Sequence, residues 1–266
     1  MKTQKVNFIV QAIACFLGFA SISNQRNISS LMTLSTDLNS LSNNTVSRLA
    51  EPLIAERRIG ILAWGSLVND PRDLKIKDQF KKSSFKLPIQ LSRLSGKGTI
   101  NQRLTRIIDK DMGVPISIWH TTSQYNLLPD ARENLRIREG STLSNIFYIK
   151  TLLPTKTPDS HEKVILDEHG NRIKNNNGND WYILESGLNQ LSRTHVIALA
   201  KWASAQGYDA VLWTGLGKTS GYTSLAKLKT TLNDQITLKN TKAYISNLPD
   251  QNELTQFEKE ILIMRS

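Results

Sequence analysis

A chain of 266 residues, 39% hydrophobic and 7% aromatic, carries enough apolar surface for one sizeable core or two small ones. Its formal charge of +11 is unevenly placed: between Arg72 and Lys110, 11 Lys or Arg face three acids, Asp73, Asp78 and Asp109. That excess is read as a solvated basic surface, or as a face for an anionic substrate, membrane or nucleic acid. The segment lacks the regular aromatic interleaving of a single-strand nucleic-acid platform, so no nucleic-acid partner is expected. The one cysteine, Cys15, lies in the leader described next, so a mature chain has no disulfide framework.

Met1–Lys5 is a basic lead, and Phe8–Ala20 is an apolar run broken only by Gln11 and Gly18. With small residues at Ser21 and Ser23, this predicts a signal peptide over 1–23 and an exported chain, periplasmic or secreted, with no stable membrane anchor after processing. An uncleaved amino-terminal helix on a cytoplasmic chain is the alternative. Residues 24–56, rich in Ser, Asn, Thr and Leu, read as a spacer, and 57–266 as the folded domain.

Ile59–Ala63 is apolar throughout and predicts a buried strand, running straight into Trp64-Gly65-Ser66-Leu67 and closed by Asn69-Asp70-Pro71. A small-residue turn at the carboxyl end of a buried strand lets main-chain N–H groups converge on an oxygen-rich ligand. An ordinary strand-to-loop bend has the same sequence. Leu87–Ser92 alternates as a half-buried strand, and Thr99–Ile108 with Val114–Trp119 reads as a hairpin across the Asp109–Gly113 turn. A helix follows, with Pro129 in its first turn, Leu128, Ala131 and Leu135 on one face, and Gly140 as its stop. Asn145–Leu153 is a strand, and Pro154–Asp180 an insertion or long loop. Thr194–Gln206 is a helix, Asp209–Thr214 a strand, and the tail is helical with breaks near 233–237 and at Pro249.

Two motifs are discounted. Gly215-Leu216-Gly217-Lys218-Thr219 ends like a phosphate loop, but Leu212 stands where that loop needs its first glycine. His120, His161, His169 and His195 have no metal spacing and read as loop histidines, so no metal is expected. In Leu135-Arg136-Ile137-Arg138-Glu139-Gly140-Ser141, Glu139 falls in the last helical turn, where the negative end of the macrodipole disfavours a carboxylate. In a pocket that is the setting of a general base; on the surface it is a Glu paired with Arg136 or Arg138.

The Trp-Gly-Ser-Leu turn after an apolar strand, with Arg138-Glu139-Gly140 about seventy residues on, resembles the gamma-glutamylcyclotransferase-like superfamily. Leu91-Ser92-Arg93-Leu94-Ser95 and Gly207–Leu216 resemble an uncharacterised bacterial branch of it. The resemblance implies an α+β fold: a compact mixed β-barrel with flanking helices and a helical carboxy-terminal tail. It implies that Trp64, Gly65, Ser66 and Leu67 hold a gamma-glutamyl group, that Glu139 is the general acid/base, and that no cofactor is needed. The implied reaction is intramolecular: the substrate α-amine attacks its own γ-carbonyl, closing 5-oxoproline and releasing an amine. Arg93 and Arg106 are candidates to meet a substrate carboxylate. Trp64 stands where the family has Tyr, and the 154–180 insertion and the tail lie outside the family core. A catalytically silent small-ligand binding protein on the same fold and a basic interaction module are the alternatives; oligomeric state is unknown from sequence.

Overall fold

Strand β1 (Ile59–Ala63) is buried along its whole length. Its unbroken apolar run suits a central position, where both faces of a strand are covered. The computed structural model describes residues 57–153 and 155–265, so the readings of 1–23 and 24–56 lie outside the described residues. After β1 come the single-turn helix α1 (Ser66–Asn69), then β2 (Lys81–Ser95), β3 (Arg103–Ile108) and β4 (Val114–Thr122). Helix α2 (Leu128–Glu139) leads to β5 (Ile146–Thr151), β6 (Glu162–Val164) and β7 (Trp181–Leu184). Helix α3 (Arg193–Ala205), β8 (Ala210–Thr214) and the tail helices α4 (Leu225–Thr231), α5 (Gln235–Ser246) and α6 (Gln256–Ile263) complete the order.

The eight strands form one mixed sheet in the order β3-β2-β4-β1-β8-β5-β7-β6. β1 pairs antiparallel with β4 (Leu62 opposite His120) and parallel with β8 (Gly60 opposite Val211). The sheet ends at β3 and β6 and does not close into the expected barrel. The physical reason lies on the outer edge of β3. The Leu104 N–H donates to Thr241 Oγ1 at 3.0 Å, and the Arg106 N–H to the Tyr244 hydroxyl at 3.3 Å. Both acceptors come from α5, so helix side chains satisfy the edge amides that a closing strand would need.

The expected hairpin is also corrected. β3 and β4 each pair with β2: β4 along its first half (Leu87 opposite Ile116), β3 along its second (Leu94 opposite Leu104). Asp109 holds the connecting turn onto β2. Its N–H donates to the Pro88 carbonyl at 2.8 Å, and its carboxylate accepts from Ser92 Oγ at 2.6 Å and from the amides of Asp111 and Met112.

Helix α2 has the bounds its punctuation predicts. Pro129 occupies its first turn, Leu128, Ala131 and Leu135 are buried, and Gly140 caps it with φ 57°, a left-handed conformation natural to glycine. Within 154–180, read as an insertion or loop, lies the short strand β6; the fully buried strand β7 follows it. The principal core gathers β1, β8, α2 and α3, and a second core joins Leu91 and Leu104 to Leu228, Leu238, Ile245, Phe257 and Ile261 of the tail. The tail is thereby part of the domain and packs on β2 and β3. Among the described residues no helix is long and apolar enough to cross a membrane.

Candidate functional site

A cleft of about 290 Å³ opens at the carboxyl end of β1. Trp64, Gly65, Ser66 and Leu67 form one wall, Arg138 and Glu139 at the end of α2 another, and Tyr244 of α5 a third. Ser95 of β2, Arg103 and Thr105 of β3, and Thr214 and Leu216 at the end of β8 also line it. The two elements that stand some seventy residues apart in sequence thus share one cavity.

The turn is held from behind. Trp64 is buried, and its indole Nε1 donates to the Arg106 carbonyl at 3.4 Å, while Arg106 Nη1 returns a bond to the Trp64 carbonyl at 3.5 Å. Trp64 therefore spends its polar atom on β3. Gly65 is required by close approach: a Cβ there would stand 2.7 Å from the Tyr244 hydroxyl. α1 begins at Ser66, and the leading amides of a helix have no intrahelical acceptor. Ser66 is exposed, and Leu67 is buried beneath it. Past Pro71, Arg72 has φ 49°, a sparsely populated conformation for a residue with a side chain.

Glu139 faces the cleft with its side chain 16% exposed, and its Oε1 accepts from Arg138 Nη1 at 2.6 Å. Arg138 Nη2 donates to the Asp70 carbonyl, so this one guanidinium ties the last turn of α2 to the loop after α1. Both sequence-level accounts of Glu139 are therefore present: it lies in a pocket and it is paired with Arg138.

The arginines differ from expectation. Arg106 lines the cleft, but its guanidinium is engaged in a bidentate ion pair with Glu258, Nε to Oε1 and Nη2 to Oε2 both 2.7 Å. Arg93 is absent from the lining; its Nη1 donates to the Gly217 carbonyl at 3.0 Å, and burial lowers its pKa from the usual guanidinium value. The cleft instead presents Arg103, whose Nη1 donates to the Asn101 carbonyl at 3.3 Å, its one hydrogen bond among the described residues.

Tyr244 and Thr214 are functional candidates that the sequence did not single out. Burial pushes the Tyr244 phenol up to about 12, so it stays protonated and keeps a proton to donate. It accepts from the Arg106 amide, and no acceptor for its own proton stands among the described residues. The Thr214 hydroxyl is enclosed and has no hydrogen-bond partner among the described residues. Neither had a local signal: Tyr244 sits in a helix of ordinary composition, and Thr214 ends a strand.

Other expectations resolve away from the cleft. Lys218, in the discounted phosphate-loop look-alike, pairs with Asp109 at 3.1 Å. His120 is on β4, not in a loop, with Nδ1 2.9 Å from the Tyr208 hydroxyl, and His195 is in the first turn of α3 beside Ser192. Among the described residues no group of three His, Cys, Asp or Glu is arranged to hold a metal ion. Compared with protein-family models, curated proteins and solved structures, the chain has no match.

Proposed function

We propose that this chain is a gamma-glutamylcyclotransferase-like enzyme built on an open sheet, which cyclises a gamma-glutamyl amide or amine to 5-oxoproline. The observation that supports this reading is the meeting of the Trp64–Leu67 turn and Glu139 in one cleft of about 290 Å³. That volume is at the lower end of small-molecule sites and suits an amino-acid-sized group.

In this mechanism the substrate α-amine, with a pKa of roughly 8, arrives largely protonated. Glu139 takes a proton from it, and the freed nitrogen attacks the γ-carbonyl carbon. A C–N bond forms, the ring closes, and the carbonyl oxygen becomes an oxyanion facing the amides that begin α1. Collapse breaks the original amide C–N bond; Glu139 returns the first proton to the departing nitrogen and relays the second from the ring nitrogen to it, so the lactam leaves neutral and the amine as its ammonium. Neither water nor an oxidant enters the balance. Holding amine and carbonyl together contributes an effective molarity of roughly 10⁵ M or more.

The test incubates the protein lacking residues 1–23 with a panel of gamma-glutamyl amino acids and amines, reading 5-oxoproline by mass spectrometry. Product from the parent, reduced about 10²-fold or more in a folded Glu139→Gln, supports the mechanism. Equal product from both removes Glu139 from its role. A second reading, a binding protein that makes no product, is favoured by the 2.6 Å bond from Arg138, which commits one Glu139 oxygen to structure. It predicts no product from the parent and ligand affinity unchanged by Glu139→Gln.

A further inference from the structure

We infer that Arg103, held against Tyr244, is the residue that binds the ligand's carboxylate, which makes the cleft selective for ligands carrying one such group next to the amine. The inference deepens the reading above and rests on it for the gamma-glutamyl class. Its basis is the charge balance of the cavity wall. Four arginines line the cleft, and three are already matched: Arg72 to Asp70 at 2.9 Å, Arg106 to Glu258 at 2.7 Å, and Arg138 to Glu139 at 2.6 Å. Arg103 has no carboxylate within 4 Å among the described residues. One guanidinium charge is therefore left uncompensated in the cavity, and one ligand carboxylate balances it.

Its setting is prearranged. Arg103 begins β3 opposite Ser95 of β2, which also lines the cleft. Its guanidinium carbon stands 5.9 Å from the centroid of the Tyr244 ring, the outer range of a cation–π contact. The Tyr244 hydroxyl accepts from the Arg106 amide at 3.3 Å. A planar guanidinium braced on a ring and bonded through one Nη atom keeps further N–H groups for a carboxylate. The unused Tyr244 proton is one more group a ligand oxygen can satisfy in the same cavity. With the carboxylate at Arg103, the neighbouring amine on the ligand's α-carbon is placed toward Glu139, whose charge it shares with Arg138.

The test is a pair of probes differing by that carboxylate alone: L-glutamine, the simplest gamma-glutamyl amide, and 4-aminobutanamide, the same molecule without it. Their dissociation constants are measured by calorimetric titration for the parent, Arg103→Gln and Arg103→Lys, each checked for an unchanged melting temperature. The parent is expected to prefer L-glutamine about tenfold or more, the size of a charge-assisted hydrogen bond. Arg103→Gln is expected to erase that preference while leaving the affinity for 4-aminobutanamide within about twofold, and Arg103→Lys to keep part of it. A preference that survives Arg103→Gln, or a parent that binds neither probe, overturns the inference. The two readings fail separately. An Arg103-dependent preference without 5-oxoproline formation upholds the inference and refutes the cyclase; 5-oxoproline formation with an Arg103→Gln preference equal to the parent's does the reverse.

Discussion

Glu258→Gln probes a fully buried charge. The Arg106 and Glu258 side chains are 1% and 0% exposed and share two bonds of 2.7 Å. Glu258 also accepts from the Thr255 N–H at 2.8 Å, closing the capping box that begins α6. Glutamine keeps the shape but removes the charge, and it turns one of the two guanidinium bonds into a contact between donors. Arg106 then keeps one bond to the remaining side-chain oxygen and the carbonyls of Glu253 at 3.2 Å and Trp64 at 3.5 Å. Breaking one side of a buried pair costs about 3–5 kcal/mol. For a domain of this size each kcal/mol lowers the melting temperature by about 2–4 °C, so the expected fall is about 6–20 °C. Urea unfolding followed by far-UV circular dichroism measures it. The double variant Arg106→Met with Glu258→Leu removes both charges at similar volume and is expected to recover about 2 kcal/mol or more over the sum of the two single changes. A Glu258→Gln loss below 1 kcal/mol, or strict additivity in the double, refutes the idea that this pair is a matched buried unit.

Gly65→Ala is expected to cost about 1–3 kcal/mol by overpacking against the Tyr244 hydroxyl. Adding Tyr244→Phe removes that oxygen and leaves the ring carbon 3.8 Å away, so the double variant should regain stability over Gly65→Ala, measured by thermal unfolding. The Asp109 carboxyl is pushed up by burial, but bonds from Ser92, Lys218 and the amides of Met112 and Asp111 outweigh this and hold it below the ordinary carboxylate value. A folded pKa below the unfolded one gives stability that is present above the unfolded pKa and lost as pH falls through the folded one. Asp109→Asn should therefore flatten the acid side of the stability–pH profile, and an unchanged acid limb refutes this assignment.

Local punctuation carried the parts of the fold that were legible in sequence. The unbroken run of β1 and the Pro129 and Gly140 signals of α2 act within a few residues, and both elements stand where those signals put them. Trp64–Leu67 and Glu139 are written in the chain in the same local way, as a turn and a helix end. Pairing is not local. Leu87–Ser92 shows one strand of alternation, and nothing in it tells that β2 continues from Lys81 to Ser95 and takes a different neighbour along each half. Barrel closure failed for a similar reason, since Thr241 and Tyr244, more than 130 residues from the amides they accept, occupy the edge of β3. Arg93 and Arg106 were attractive because strand arginines near a turn resemble ligand contacts. Their engagements with Gly217 and Glu258 depend on segments that reach them only in the folded state.

The same late-arriving helix has a consequence for the order of events as the chain is made. Everything from β1 through β8 precedes α5 and α6, yet Tyr244 is a wall of the cleft and Glu258 neutralises the arginine behind it. A nascent chain that stops short of Gln235 has an uncovered β3 edge, an unpaired Arg106 and an unfinished cavity. The cavity is thus completed only late, and until then the open edge of β3 is the place where such a chain is exposed to pairing with its neighbours.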